Sequence, residues 1–487
     1  MLSSLFRTTV IAFLWVTVGC TASKAQVYYD SSATGQRQTL NQSTPDSLPR
    51  RVSEIIIIGN KLTKPSIILR ELTFRKGDTL NPTSLQKMFV RSEDNLMNTS
   101  LFNSAHITWL INDPQTMTVY IILTERWYIF PFPIFEIVDR NFNEWWRTKD
   151  FSKINYGGIV TWNNFRGRNE TIGMTLRFGY TERISFFYTL PFISKGQKSG
   201  LSFSFAYSQN HQTPFTNFNN DLVFFKDEDH FSRREISGAV QYSYRKGLYT
   251  SHIVEAAYKN AQVEDTIIKL NPEFFMPGKS REKYMSLRYI YKVEHRDLVA
   301  YPLHGWYFDA EAAKVGLSAL SDDVNFSYVA SSYKRYWQLG KKFYFASGLS
   351  GKISDSNPQP FYNVGGLGFG SNYLRGYEYY VVLGEKYGLL KTNLKFELLP
   401  THVIHAGIIP LEKFATIPYA FYINVYGDAG YAEDKLFSKY NSLTNSWLYS
   451  GGAGIDFVTY YDLVFRLEYS VNKFGESGIF LHFSAPI

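Results

Sequence analysis

The chain has 487 residues, of which 17% are aromatic, and a formal net charge of +8 at pH 7. Its 36 Tyr and 39 Phe, with no long apolar run after the N-terminus, argue against transmembrane helices and favour alternating strands with an apolar outer face. Composition alone also fits a large soluble β-sandwich. The basic residues form no concentrated tract, which argues against nucleic-acid binding.

The N-terminus has the pattern of a secretory signal peptide. Arg7 precedes a short apolar run at residues 10–18, and small residues follow. We expect cleavage after Ala25, so that residues 1–25 are removed. Cys20, the only cysteine, raises the alternative of a lipidated N-terminus; ordinary cleavage would instead leave a mature chain without thiol or disulfide chemistry.

A polar segment and a small α+β domain follow. Residues 26–49 are rich in Ser, Thr and Gln with little to bury, which predicts a linker. Residues 50–126 predict a compact domain with the order β-α-α-β-β. Its predicted elements are a β-branched strand at 52–58, helices that begin near Pro65 and Thr83, and strands at 104–110 and 116–125.

The remaining residues, 127–487, repeatedly alternate apolar and polar side chains, most clearly at 171–180 and 236–244. About 360 residues, at roughly 22 per strand and loop, give about 16 strands. We therefore predict a mainly β protein: a roughly 16-stranded antiparallel transmembrane β-barrel preceded by one small α+β (βααββ) domain. Closure of the barrel would remove the sheet edges that lipid cannot satisfy.

The predicted α+β domain resembles the periplasmic POTRA domain. The segments that carry this similarity are Ile58-Gly59-Asn60, Lys76-Gly77-Asp78, Asn95-Leu96, Leu101-Phe102 and Thr124-Glu125. The resemblance implies an exposed strand edge, to which an extended client segment can add as a further strand.

A glycine-rich segment of the predicted barrel contains Gly365, Gly366, Gly368 and Gly370 and leads into Leu374-Arg375-Gly376-Tyr377. This apolar-Arg-Gly-aromatic motif resembles the signature of the BamA/TamA family of outer-membrane proteins, the bacterial surface antigen family. In that family the motif lies at the tip of a long loop that folds back into the barrel lumen. Five further segments occur in the family's order: 163–170, 297–305, 393–400, 425–430 and 450–454.

The resemblance implies a latch between this loop and the barrel wall. An arginine inside a barrel needs a carboxylate partner, and its guanidinium suits bidentate pairing. By the family precedent the partner of Arg375 is Asp428, in a segment that continues to Gly430, and Glu397 is the alternative. The loop glycines would let the chain turn inward and approach the wall closely. We expect this site to brace the loop and to perform no chemistry.

The resemblance also implies the function and the location. The chain would insert proteins into the outer membrane or translocate polypeptides across it, with the POTRA domain in the periplasm and a seam between the first and last barrel strands acting on clients. The implied partners are outer-membrane lipids, unfolded outer-membrane or secreted client proteins, and periplasmic or outer-membrane accessory proteins. The alternative is a passive pore or structural barrel without assembly activity.

No catalytic, cofactor or metal site is expected. His402 and His405 lie close together in the sequence, but no Cys or carboxylate cluster completes a metal site. The chain contains no Gly-x-Ser-x-Gly motif of a serine hydrolase. The glycine-rich segment lacks the Lys-Ser/Thr pair of a phosphate-binding loop. A barrel phospholipase is the enzymatic alternative.

Overall fold

The computed structural model describes residues 48–137 and 154–483, apart from positions 180, 228, 319–321, 356, 371, 407–411 and 460–461. The predicted signal peptide, with Cys20, lies outside the described residues, as does the predicted linker up to residue 47. Within the described part, no helix has the length and hydropathy needed to cross a membrane.

The N-terminal domain is a four-stranded sheet with two helices. Its elements are β1 (Arg50–Ile58), α1 (Pro65–Leu69), β2 (Thr79–Leu80), α2 (Pro82–Met97), β3 (Phe102–Asp113) and β4 (Thr116–Glu125). The strand order is β2-β1-β4-β3, with β1 parallel to β4 and the other pairs antiparallel. The predicted α+β fold is confirmed, and the short strand β2 adds one element to the predicted order.

The core of this domain forms because α2 carries apolar residues on one face. Leu85, Phe89 and Leu96 are four and seven residues apart, which is one and two helical turns, and are buried together with Val119 and Ile121 of the central strand β4. Pro82 begins the helix, at a position whose N–H has no intrahelical partner. The helix therefore starts one residue before Thr83.

Within the described residues, sixteen antiparallel strands form the barrel, which confirms the predicted fold class. The barrel strands are β5 (Ile129–Ile137), β6 (Ile154–Phe165), β7 (Glu170–Gly179), β8 (Thr181–Leu190), β9 (Ser199–Asn210), β12 (Arg233–Lys246), β13 (Thr250–Val263), β14 (Arg281–Glu294), β15 (Gly305–Val315), β16 (Phe326–Gln338), β17 (Phe343–Ser354), β20 (Lys386–His405), β21 (Thr416–Glu433), β22 (Leu448–Thr459), β23 (Val464–Asn472) and β24 (Ser477–His482). The connections hold β10 (Gln212–Phe218), β11 (Asp221–Lys226), α3 (Asp265–Leu270), β18 (Gly366–Leu367), β19 (Val382–Leu383) and α4 (Glu412–Ala415).

Strand β23 shows why the sequence alternates. Arg466, Glu468 and Ser470 are at most 1% exposed and face the lumen. Leu467 and Tyr469, on the opposite face, are 52% and 53% exposed. Because successive side chains of a strand point to opposite faces, polar residues collect inside the barrel and apolar ones outside.

Candidate functional site

Residues 355–385, between β17 and β20, form a loop that enters the barrel; we call it the latch loop. Its base is a hairpin in which β18 pairs with β19 and the Gly384 N–H donates to the Gly365 carbonyl at 2.9 Å. The remaining predicted loop glycines all have positive φ angles: Gly366, Gly368 and Gly370.

Arg375 of the latch loop binds Asp428 on β21 with two hydrogen bonds. Nη2 lies 2.6 Å from Oδ1, and Nε lies 2.7 Å from Oδ2. Nη2 also donates to the Thr392 carbonyl at 2.8 Å. Arg375 is 0% exposed and Asp428 is 4% exposed. The structure thus places the two residues in bidentate contact, which offsets part of the desolvation of both charges.

A second carboxylate, Glu468 on β23, also faces Arg375, with its Oε1 3.4 Å from Nη1. The Arg375 guanidinium lies 3.7 Å from the ring centroid of Tyr426, a cation–π contact. Glu397, the alternative partner, instead accepts a hydrogen bond from the Tyr344 hydroxyl at 3.0 Å. The structure therefore pairs Arg375 with one predicted carboxylate and with one that the sequence did not assign to it.

The other residues of the Leu-Arg-Gly-Tyr motif pack the latch loop against the barrel wall. Leu374 is 1% exposed, and a Cβ at Gly430 would lie 3.1 Å from Cδ1 of Leu367, also in the latch loop, so the glycine leaves room for Leu367. Gly376 has a φ of +83°, and a Cβ there would come within 3.3 Å of a serine on β22. The Tyr377 hydroxyl donates to a backbone carbonyl of β22 at 3.1 Å. Close approach of loop and wall thus depends on both glycines.

A series of buried polar contacts continues from the Arg375–Asp428 pair towards the end of the barrel that carries the N-terminal domain. Glu468 Oε1 lies 3.5 Å from Arg466 Nε, which donates to Asp456 at 2.8 Å. Asp456 also accepts a hydrogen bond from the Tyr301 hydroxyl at 2.6 Å. Tyr301 belongs to turn 295–304, between β14 and β15. A turn at one end of the barrel and a loop from the other end therefore meet in one polar network.

The latch loop also contacts the last strand, β24. His482 Nε2 lies 3.3 Å from Oε1 of Glu378, in the loop, and 3.6 Å from Oε2 of Glu468. The rings of Tyr379 and Phe480 are 5.4 Å apart. These contacts support β24 from the lumen side.

The N-terminal domain docks on the barrel through a buried carboxylate. Glu71, 2% exposed, accepts hydrogen bonds from Arg245 at 2.7 and 2.8 Å and from Arg70 at 3.0 Å. Burial and the neighbouring Arg245 lower the pKa of Arg70 to about 10. Arg70 therefore stays protonated at neutral pH, and two cations hold this carboxylate at the end of β12.

The N-terminal domain makes further contacts with turns across the same end of the barrel. Asn98 donates to the Asp297 carbonyl at 2.7 Å and accepts from the Val299 N–H at 3.0 Å. Arg126 binds Asp462, between β22 and β23, at 2.8 Å. In the strand order of the sheet β22 is third and β12 eleventh, so the contacted turns lie on opposite sides of the barrel. The N-terminal domain thus spans this end.

Two of the family-like segments contribute to the docking. Segment 163–170 forms the turn between β6 and β7, where Asn164 donates to the Thr63 hydroxyl at 2.9 Å and the Gly167 carbonyl accepts from the Lys64 N–H at 2.9 Å. Segment 297–305 overlaps the turn that Asn98 contacts. Both segments therefore position the N-terminal domain.

Loops cover the opposite end of the barrel. The Asn219 N–H donates to the Tyr440 carbonyl at 3.0 Å, and the Asn220 N–H donates to the Asn441 side chain at 2.8 Å. These loops follow β9 and β21, which are twelfth and fourth in the strand order and so lie on opposite sides of the barrel. The Val381 N–H, from the latch loop, donates to the Asn220 carbonyl at 2.8 Å. Loops from facing walls therefore meet across this end.

The two ends of the sheet form a seam. Strands β5 and β24, both within the described residues, have no backbone pairing with each other. Arg126 lies between β4 and β5 and its partner Asp462 between β22 and β23, so the two ends of the sheet approach each other where the N-terminal domain docks. Among the described residues, the sheet is therefore curved into a barrel without a β5–β24 strand pair at this seam.

Known family models match both the N-terminal domain and part of the barrel. The POTRA family model, described as surface antigen variable number repeat, matches residues 50–126. The Omp85 superfamily domain matches residues 164–388. The chain is a BamA/TamA-like Omp85 protein.

Two solved structures share the fold of this Omp85 protein. BamA from Haemophilus ducreyi lacking POTRA domains 1–3 is 15% identical, with 90% of this chain and 84% of that chain covered and a TM-score of 0.50. CdiB from Escherichia coli is 11% identical, with 89% and 75% covered and a TM-score of 0.53. No curated protein matches the chain in sequence.

Family membership also settles the class of activity. Omp85 proteins are non-enzymatic transporters or assembly factors, so the prediction that the chain is not an enzyme is confirmed. They act in insertion into the outer membrane or translocation across it. Across the described residues, no group of three or more His, Cys, Asp or Glu side chains is placed to hold a metal ion.

Sequence reasoning did not predict the contacts of this polar network. Arg466 and Glu468 stand two apart in an alternating strand, a spacing that places both on the lumen face and was a usable signal. Asp456 and Tyr301 carry no such signal, because one lies on a different strand and the other in a distant turn.

Proposed function

We propose that this Omp85 protein inserts client polypeptides into the outer membrane, or translocates them across it, by way of the seam in its barrel wall. One observation carries the proposal: in the part of the chain that the structure describes, β5 and β24 are the two ends of the barrel sheet and do not pair as strands, while both ends of the barrel are crossed by other segments. An unpaired strand edge binds an extended segment through backbone hydrogen bonds. A client would therefore meet this protein at the side of the barrel.

The outer surface supports a location in a bilayer. Large apolar side chains cover the outward face of the strands, including Leu349 at 59%, Ile353 at 67% and Ile479 at 66% exposure. Such an apolar band fits contact with lipid acyl chains. We place the barrel, residues 127–487, in the outer membrane with outer-membrane lipids as direct partners.

An outer-membrane location of the barrel implies a role for each N-terminal segment. Residues 1–25 would act as the signal peptide that directs export, and residues 26–49 as a linker. Residues 50–126 would be a POTRA domain in the periplasm. The docked position of the domain, through Glu71 and Asn98, supports a periplasmic location for that end of the barrel.

The POTRA domain has a surface suited to guiding clients or accessory proteins. β3 is one of the two edge strands of its sheet, and Leu110 and Ile111 near the end of that strand are 59% and 47% exposed. An exposed strand edge beside apolar side chains is a surface to which an extended segment can add.

The latch would position the seam. Arg375 and Asp428 join the latch loop to β21, while Glu378 and Tyr379 of the same loop contact β24. Loss of the latch should therefore disorder both the loop and the last strand. Its part in assembly would be structural.

The alternative function, a passive pore, is disfavoured by the covered ends of the barrel. The test combines depletion of the protein in cells with conductance of the purified protein in planar bilayers. We expect depletion to lower specific outer-membrane or secreted proteins in quantitative proteomics, and the intact protein to conduct little. If depletion reduces solute uptake and leaves every outer-membrane and secreted protein unchanged, the assembly function is wrong.

A matched pair of alleles refines this test. Asp428→Ala removes the carboxylate that binds Arg375, whereas Glu397→Ala removes a lumen carboxylate that binds Tyr344. We expect Glu397→Ala to restore client levels in depleted cells and Asp428→Ala to restore them only in part.

A further inference from the structure

A cluster of three basic side chains lies near the end of the barrel that faces away from the N-terminal domain. Arg234 is the second residue of β12, and Arg281 and Lys283 are the first and third residues of β14. Both strands begin at this end, because each runs to the end where Arg245 and turn 295–304 contact the N-terminal domain. We call these three residues the outer basic cluster.

Strand alternation turns these side chains away from the lumen. Glu235 accepts a hydrogen bond from the hydroxyl of Tyr362, in the latch loop, at 2.5 Å, and Glu282 is 1% exposed. Both glutamates therefore face the lumen. Because successive side chains of a strand point to opposite faces, their neighbours in the outer basic cluster point outward.

The outer basic cluster borders the apolar band on the same face of the wall. Ile236 and Val240 of β12 are 39% and 48% exposed, and Leu287 and Tyr289 of β14 are 45% and 42% exposed. Each of these residues lies an even number of positions from a member of the cluster and nearer the middle of its strand. An outward face that changes from apolar to basic near the strand end matches the boundary between lipid acyl chains and headgroups.

The register of the sheet brings the three cations together. Gln262 of β13 pairs with Arg234 on one side and with Arg281 on the other, and Asn260 pairs with Lys283. Arg281 Nε also donates to Asn260 Oδ1 at 2.8 Å. Neighbouring strands are about 4.8 Å apart, so the two arginines start roughly 10 Å apart and their long side chains can reach one headgroup. The two amide side chains lie between the cations.

In the part of the chain that the structure describes, no ion pair involves the outer basic cluster. Asp323 accepts a hydrogen bond from the backbone N–H of Lys283 at 2.8 Å, but its ion pair is with Lys279. By contrast Lys386, at the same end of the barrel on β20, has a carboxylate partner, Glu433, at 3.3 Å. Cations at the edge of hydrocarbon are stabilised by anionic partners, so the cluster is suited to an anion from outside the chain.

From this arrangement we propose that the outer basic cluster binds the phosphate groups of a phosphorylated glycolipid, of the lipid A class, in the outer leaflet. The inference rests on the proposed outer-membrane location. Guanidinium groups donate in pairs to phosphate oxygens, and the lysine ammonium adds a point charge. The amides of Gln262 and Asn260 are donors and acceptors for sugar hydroxyls.

The position of the site in the sheet gives the lipid a structural role. Strands β14, β13 and β12 are ninth to eleventh in the strand order, across the barrel from the seam between the first and sixteenth strands. The acyl chains of the bound lipid would lie along the apolar residues next to the cluster. The lipid would therefore hold the wall opposite the seam at a fixed depth in the bilayer.

Lipid binding to the purified protein tests the site. The full-length protein in detergent micelles is titrated with diphosphoryl lipid A, and the bound lipid is counted by native mass spectrometry. We expect the triple variant Arg234→Gln with Arg281→Gln and Lys283→Gln to bind at least about tenfold more weakly than the wild type. Lys386→Gln is the matched control, because that lysine has Glu433 as a partner, and should stay within about twofold of the wild type. Equal binding by the wild type and a folded triple variant contradicts the site.

Two further lipids identify the group that is recognised. Monophosphoryl lipid A should bind the wild type several-fold more weakly than diphosphoryl lipid A, because it offers the cations one phosphate fewer. Phosphatidylglycerol has a single phosphate and no sugar, and it should bind more weakly still. If phosphatidylglycerol binds as tightly as diphosphoryl lipid A, the choice of a glycolipid is wrong.

Protection of lysines from modification needs no variant and serves if the triple variant does not fold. Bound diphosphoryl lipid A should slow the reaction of Lys283 with an amine-reactive reagent several-fold and leave the rate at Lys386 unchanged. Equal rates at Lys283 with and without the lipid contradict the site. The depletion experiment tests the assembly function without any lipid ligand, so the failure of one proposal is distinguishable from the failure of the other.

Discussion

Two arginines inside the barrel, one in the latch loop and one on the wall, have similar partners and different surroundings. Arg375 faces two carboxylates and is 0% exposed, sealed between the latch loop and the strands β20–β24. Arg288, on β14, also faces two carboxylates, Glu255 at 2.9 Å and Glu311 at 3.6 Å. Its side chain is 36% exposed, beside a cavity of about 650 Å³. The same charge pattern is therefore buried on one side and solvated on the other.

This difference in solvent exposure determines how each charge cluster affects stability and the position of the latch loop. A solvated ion pair contributes about 0–1 kcal/mol, because water screens both charges. A buried cluster contributes little net stability compared with apolar packing, but it tolerates no missing partner. The cluster at Arg375 thus favours one position of the latch loop in the barrel, since any other position would leave charges buried and unpaired. The cluster at Arg288 imposes no such condition.

The largest expected effect is at Asp428. Asp428→Ala leaves Arg375 buried against Glu468 alone, at 3.4 Å, so we expect a loss of about 3–5 kcal/mol in stability. Thermal unfolding in detergent should show the loss, and limited proteolysis should cut the latch loop faster. Glu397→Ala is the control and should leave the protease sensitivity of the loop near the wild-type level.

A double-mutant cycle sharpens this prediction. Arg375→Ala should also destabilise the loop, because it removes the buried guanidinium that binds Asp428 with two hydrogen bonds and also faces Glu468. The double variant Arg375→Ala with Asp428→Ala should cost at least about 1 kcal/mol less than the sum of the single changes. Additive effects would show that the two residues do not act as a pair.

An intermediate effect is expected at Tyr301, where the buried network meets turn 295–304. Tyr301→Phe removes the hydroxyl that donates to Asp456 at 2.6 Å and keeps the ring. A hydrogen bond to a charged group contributes about 1.5–3 kcal/mol, so thermal unfolding should show a loss in that range. In the double variant Tyr301→Phe with Asp428→Ala, the loss of stability should be smaller than the sum of the two single losses. Full additivity would mean that the latch and the turn are energetically independent.

The fold could be predicted because its pattern is repeated. Alternation in strands such as 171–180 and 236–244 reports burial on one face, and many repeats of it indicate a barrel. The position of Arg375 beside Asp428 followed from a resemblance, and the role of the pair as a latch stays a proposal. Glu468 was recognisable as lumen-facing, but the alternation states only a face and not which lumen side chains meet across the barrel.

The docking of the N-terminal domain could not be read from the sequence. Glu71 lies 174 positions from Arg245, and nothing near either residue marks the other as its partner. Such contacts depend on how separate turns are brought to one end of the barrel.

The smallest expected effect is on the solvated side of the lumen. Arg288→Ala removes a guanidinium that binds Glu255 and Glu311 beside open space, so water can hydrate the carboxylates that remain. We expect a loss of at most about 1 kcal/mol in thermal unfolding, reduced further at high salt because exposed pairs are screened. Protease sensitivity of the latch loop should not change. A loss as large as that of Asp428→Ala would show that exposure is not what separates the two arginines, and that the Arg288 cluster also constrains the position of the loop.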